Sequence, residues 1–141
     1  MTVQFNSPEL APPPNHHQGI HIGQPWPLGA SLTSRGVNFS VVAPLATRIE
    51  LLLFADGEAS EPARVVELDQ RHRSADHWHV EVEGLGLGSC YGYRAFGPLQ
   101  PGGHGFNPSK VLLDPCARAI AGWHSYQRGG AVGAAPNTGH C

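Results

Sequence analysis

The chain has 141 residues, a length that fits one domain. A domain of this size buries roughly 68–70 % of its unfolded surface, so no disulfide or metal staple is required. A formal net charge of −2, with only 14 % charged residues, gives no electrostatic case for binding nucleic acid or an anionic membrane.

Residues 1–23 read as a flexible leader. The run Ala11, Pro12, Pro13, Pro14 favours extended polyproline geometry, and no basic segment followed by an apolar core marks a secretory signal. Pro25-Trp26-Pro27-Leu28-Gly29-Ala30 looks like the entry to the fold, with Trp26 able to anchor the segment. Residues 36–43 alternate, placing Val37, Phe39 and Val41 on one face and Asn38 and Ser40 on the other. Residues 47–55 form a second strand with apolar residues on both faces, Leu52 and Phe54 behind Ile49, Leu51 and Leu53, so cover on both sides is expected. Its apolar run is broken by Glu50 and is far short of the ~20 residues of a membrane span.

A weaker strand follows at 63–68, then a charged loop at 69–76. Trp78, Val80 and Val82 alternate with His79, Glu81 and Glu83 in a fourth strand, whose polar face reads as solvated. Cys90 to Phe96 is a fifth strand, closed by Gly97-Pro98. Beyond Gly122 the pattern disappears, and 122–141 reads as a disordered tail. Short strands spaced by Gly/Pro turns, without a convincing amphipathic helix, predict an all-β fold: an antiparallel immunoglobulin-like β-sandwich between two disordered tails.

Sites of chemistry are sparse. Glycoside hydrolysis generally uses two carboxyl groups flanking the scissile bond, and the acidic residues here are scattered. Asp114 precedes Pro115, where a carboxylate most often organises a turn. His77 and His79 share a strand face but have no third ligand at fixed spacing, so no metal is expected. Cys90, Cys116 and Cys141 are an odd, widely spaced set and predict free thiols in a cytoplasmic protein. Aromatic rings stack on the apolar faces of sugars. Trp78 falls on a core position, and one of Tyr91 and the residues two away from it should be core as well, which leaves Trp26 and Tyr93 as candidates for sugar contact.

In order, Pro25-Trp-Pro-Leu-Gly-Ala30, the strand from Gly36 to Pro44, Tyr91-Gly-Tyr-Arg94, Gly97-Pro98 and Phe106-Asn-Pro-Ser-Lys-Val-Leu-Leu-Asp-Pro115 resemble the N-terminal domain of isoamylase-type glycogen debranching enzymes. The resemblance covers residues 24–121, leaving 122–141 as a non-homologous tail. In that family the domain is a β-sandwich, carbohydrate-binding module family 48, that precedes an (α/β)8 barrel of glycoside hydrolase family 13. The resemblance implies a module associated with branched α-glucan in glycogen breakdown, with the α-1,6-cleaving barrel in the same polypeptide as its partner. The barrel carries the nucleophile Asp, the acid/base Glu and a second Asp. None of those motifs is present, so no catalytic residue and no cofactor is expected, and the chain is expected to be truncated and inactive alone.

Two departures bear on function. Cys116 stands where the family has Tyr. The stretches 55–60 and 99–104, where stand-alone glycogen-binding members carry Trp platforms, contain no Trp, so glucan affinity should be weak or absent. The resemblance makes Phe106 to Pro115 the strip between sandwich and barrel, with Phe106, Asn107, Pro108, Val111, Leu113 and Asp114 as domain-interface candidates. Left without a barrel, residues 104–123 would favour self-association. The alternatives are a purely structural or interaction domain and a free-standing glucan-binding module.

Overall fold

The computed structural model describes residues 19–98, 105–123, 128–131 and 137. Among these residues eight strands lie in two antiparallel sheets. Sheet A has the order β1 (Ile20–His21), β7 (His77–Glu83), β3 (Gly36–Val42), β2 (Gly29–Leu32), with β6 (Arg73–Ser74) also paired to β7. Sheet B has the order β5 (Arg64–Leu68), β4 (Arg48–Phe54), β8 (Cys90–Phe96). Leu112 adds a single antiparallel bridge to Tyr93 on the free side of β8. Consecutive strand pairs cross between the sheets, which is the Greek-key wiring of an immunoglobulin-like sandwich.

Alternation builds the core. In sheet A the register sets Val37 opposite Val82, Phe39 opposite Val80 and Val41 opposite Trp78. In sheet B it aligns Ile49 with Leu68 and Ala95, and Leu51 with Val66 and Tyr93. These inner faces form one buried cluster. Tyr91 crosses between the sheets, its ring edge-on to Phe39 with centroids 4.8 Å apart. The Trp78 indole N–H donates to the Ala43 carbonyl at 3.0 Å, so the largest core side chain leaves no polar atom unpaired.

The second face of β4 is covered as expected: Leu52 and Phe54 are both buried. The second face of β7 is a correction. Asn38, Ser40, His79 and Glu81 face away from the core, yet all four are buried. A strap, residues 22–26, lies across them. The Asn38 amide accepts from the Gln24 N–H at 2.8 Å and donates to the Gln24 carbonyl at 3.0 Å. Ser40 Oγ donates to the Pro25 carbonyl at 2.7 Å. His79 donates from Nδ1 to the Ile22 carbonyl at 2.9 Å, and its Nε2 accepts from Ser74 Oγ at 2.8 Å. Gly23 makes the crossing feasible: its φ is +77°, and a Cβ there would lie 2.5 Å from Asn38 Oδ1. Polar residue types look the same in sequence whether they meet water or a main chain.

The sandwich also starts earlier than the 1–23 leader allows. Ile20 and His21 pair with Val82 and Glu81, and Ile20 packs on the core. Residues 1–18 lie outside the described residues. Within the expected 69–76 loop, Asp69 caps a 3-10 turn (Gln70–His72), accepting from the Arg71 N–H at 2.9 Å. The Arg71 guanidinium, bonded to the same carboxylate at 2.7 Å, holds Asp69 well below the usual carboxylate range.

Two outcomes follow for the strap. Asn38→Ala leaves both polar groups of Gln24 without their partner and should cost about 1–3 kcal/mol in a urea melt, whereas Leu87→Ala, on a fully open turn, should stay within about 0.5 kcal/mol. The Thr33 hydroxyl first, and then Arg35, lower the Glu81 pKa below its ordinary 4.5. Ionised Glu81 therefore stabilises the fold above that unfolded value, and the contribution is lost as pH falls through the lowered folded value. Glu81→Gln should flatten the fall of stability across this acid range, measured by melts at a series of pH values.

Candidate functional site

The strap ends at Trp26, which explains its position. With Pro25 pinned by Ser40, the next side chain projects off the outer face of sheet A. The ring is 63 % exposed and rests on the His77 imidazole, centroids 5.0 Å apart and planes tilted by 51°. A supported, solvent-facing indole can take the apolar face of a sugar ring.

Tyr93 has no such freedom, and its expected glucan contact is withdrawn. It is 3 % exposed, inside the core cluster, and its ring meets Tyr91 edge-on at 5.8 Å. Tyr91 and Tyr93 are two residues apart on one strand, so they share a face, and Ala95 continues it. The stretch 55–60 is described and offers no aromatic ring, while 99–104 lies outside the described residues. Among the described residues no group of three His, Cys, Asp or Glu side chains could hold a metal ion.

The strip from 105 to 117 runs along the other end of the sandwich. Phe106 inserts against Gly97, where there is no room for a Cβ, and packs on the core. Asn107 closes a turn: its Oδ1 accepts from the Ser109 N–H at 3.0 Å and the Ser109 hydroxyl at 2.6 Å, and its carbonyl accepts from the Lys110 N–H at 3.0 Å. Pro108 sits exposed at the tip of that turn. Val111 lies over Gly92, its Cγ1 2.7 Å from where a Cβ would stand. Leu112 exchanges both main-chain bonds with Tyr93, at 2.7 and 2.9 Å.

Asp114 is 5 % exposed and fully employed. Its Oδ2 accepts from the Tyr91 hydroxyl at 2.8 Å, its Oδ1 from the Cys116 N–H at 2.8 Å, and its carbonyl from the Ala117 N–H at 3.0 Å. The carboxylate ties strip to core and turns the chain, so Asp114 and Phe106 belong to the domain's own packing.

What remains open is an apolar groove of about 360 Å³ beside the strip, lined by residues that include Val42, Leu45, Phe106, Leu112 and Pro115. Leu112, Val42 and Leu45 are exposed at its mouth, and exposed Leu113 lies just outside it. The resemblance implies an interface that includes Val111 and Leu113. The bridge to Tyr93 instead turns Leu112 into the groove. Val42 and Leu45 escape a pattern-based search, although Val42 is the one apolar residue in the outer phase Asn38, Ser40, Val42.

Fold and site together define a β-sandwich module with an exposed indole at one place and an apolar groove at another. The chain belongs to the carbohydrate-binding module 48 family (isoamylase N-terminal domain), whose match spans residues 27–117. The glycogen debranching enzyme of Klebsiella pneumoniae (strain 342) is 46 % identical over 101 residues, 71 % of this chain and 15 % of that protein. That of Erwinia tasmaniensis is 46 % identical over 104 residues, 73 % of this chain and 15 % of that protein. The chain thus spans about 15 % of the length of these relatives. In fold it is similar to the pullulanase of Bacillus acidopullulyticus, with TM-score 0.55 and 22 % identity over 72 % of this chain and 13 % of that one.

Asp114→Ala should lower stability by about 1–3 kcal/mol, since it strips the acceptor from a buried Tyr91 hydroxyl and from the Cys116 N–H. Leu113→Lys, at an exposed position, should stay within about 0.5 kcal/mol. Denaturant melts of the two variants check both values.

Proposed function

We propose that this chain is the α-glucan-associated N-terminal module of a glycogen or amylopectin debranching enzyme. The observation that carries the reading is the family match together with the position of the groove, on the strip that follows the last strand of the sandwich. The groove at Leu112, Val42 and Leu45 would receive an α-amylase-type barrel of the same polypeptide. That barrel would hydrolyse α-1,6-glucosidic branches, and the module would orient branched glucan toward it.

The module itself takes no part in bond cleavage. Glu81, the most enclosed glutamate among the described residues, is held ionised by Thr33 and Arg35, the wrong state for a general acid, and Asp114 is saturated by the fold. Trp26 is the proposed glucan contact, and a single ring makes affinity weak. The role belongs in a cytoplasm, where Cys90 and Cys116 would persist as the free thiols they are. Among the described residues no helix is long and apolar enough to cross a membrane.

A second reading, a structural or interaction domain, is favoured by the absence of any ring in 55–60. The two readings separate on a glycogen-containing native gel. Retardation of the chain, reduced about fivefold in apparent affinity by Trp26→Ala as expected for a ~1 kcal/mol stacking contact, supports the glucan-associated module. Migration unchanged by glycogen supports the structural one. Release of reducing ends from pullulan by the pure chain, abolished by replacing one of its carboxylates, would overturn the non-catalytic assignment.

A further inference from the structure

Leu112 commits its N–H and C=O to Tyr93, so the neighbouring residue must turn its own pair the other way. Val111 therefore presents a donor and an acceptor along the outer edge of sheet B, where another strand would ordinarily add. The side chain of Asn137 occupies that place. Its Oδ1 accepts from the Val111 N–H at 2.6 Å, and its Nδ2 donates to the Val111 carbonyl at 2.8 Å. A carboxamide has the donor and acceptor of one peptide group but no chain running on from it. It satisfies one residue of an edge and gives a further strand nothing to extend.

A second tie lies beside the first. Buried Lys110 donates from Nζ to the carbonyl of Gly130 in the short helix α1 (Arg128–Ala131). Two adjacent residues of the strip, Lys110 and Val111, are thus bound by Gly130 and Asn137. The expectation of a disordered 122–141 does not describe these two residues, although most of that stretch lies outside the described residues. On the same side, Val111 lies over Gly92, and Leu52 of the outer face is fully buried.

We propose that Asn137 is an intramolecular cap on the edge of sheet B, and that it keeps the chain from pairing edge to edge with a second copy of itself. The occupant excluded by the cap is the same strip of another molecule, Val111 to Val111 in antiparallel register, which sets the exposed Leu113 of each copy opposite Ser109 of the other. Isologous pairing suits an edge with one free donor and one free acceptor, because two such edges are self-complementary. The proposal holds whether or not the chain binds glucan, and its test uses no sugar.

The test compares the full chain with Asn137→Ala by light scattering over a concentration series and by amide hydrogen exchange. Wild type should remain monomeric where Asn137→Ala associates, and the added substitution Leu113→Lys, which puts a charge on the pairing edge of each copy, should return the variant to monomer. At dilution, where the variant is monomeric, its Val111 amide should exchange about tenfold faster or more, with Tyr91 and Tyr93 unchanged. Unaltered exchange at Val111 would show that Asn137 does not protect the edge and would overturn the proposal. Faster exchange without association would overturn it equally, because the edge would then be open but not adhesive. A wild type that associates as readily as the variant would do the same.

Discussion

A strand buried on both faces has to find partners for whatever its second face carries. In β3 and β7 that second face is Asn38, Ser40, His79 and Glu81, and water is excluded from all four. An unpaired amide or imidazole there would cost about 1–3 kcal/mol each, comparable with a sizeable part of a domain's net stability. The main chain of residues 22–25 meets three of them, and Thr33 with Arg35 meets the fourth. Sheet A thus has a polar layer on the face opposite its apolar core. Trp26 owes its outward position to that layer, since the strap is pinned up to Pro25 and freed immediately after.

The other end of the molecule uses one carboxylate for a comparable task. Asp114 joins Tyr91, a residue that spans both sheets, to the turn at Cys116. Phe106 fixes the start of the same strip against Gly97. With both ends anchored, the middle is constrained to run beside β8, where Leu112 bridges Tyr93. Leu112 then faces the groove, and the Val111 pair faces the opposite edge. Both outward directions of the strip arise from the same two anchors.

Much of the architecture was legible. β3, β7 and β8 alternate because their inner residues are Val, Phe, Trp, Tyr or Ala, and Leu52 and Phe54 announced cover on the second face of β4. The strap was not legible. Asn, Ser, His and Glu are equally at home against water, and a strap bound through its carbonyls has no sequence period. Ile20 and His21 were missed because two residues cannot show alternation. In the candidate site, Trp26 could be found from its flanking prolines and the role of Asp114 from the following Pro115. Tyr93 could have been excluded by parity with Tyr91. Which of Val111, Leu112 and Leu113 faces outward depends on a single bridge, and three adjacent apolar residues do not reveal it.

The strap inverts the usual direction of recognition: side chains of the sheet read the backbone of the segment lying on them. Residues 22 and 24 contribute main-chain groups to the contact, so their identity matters little there, whereas Gly23 is bound to its identity by its left-handed φ and by the absence of space for a Cβ. Length is the property under the strictest control. Adding or removing one residue between Ile22 and Pro25 would displace everything beyond it by about 3.3 Å along the face. The indole would then leave its place over His77 while every residue that holds the strap remained present. Drift in this part of the chain is therefore expected as exchange of one residue for another, with insertions and deletions confined to the segments on either side.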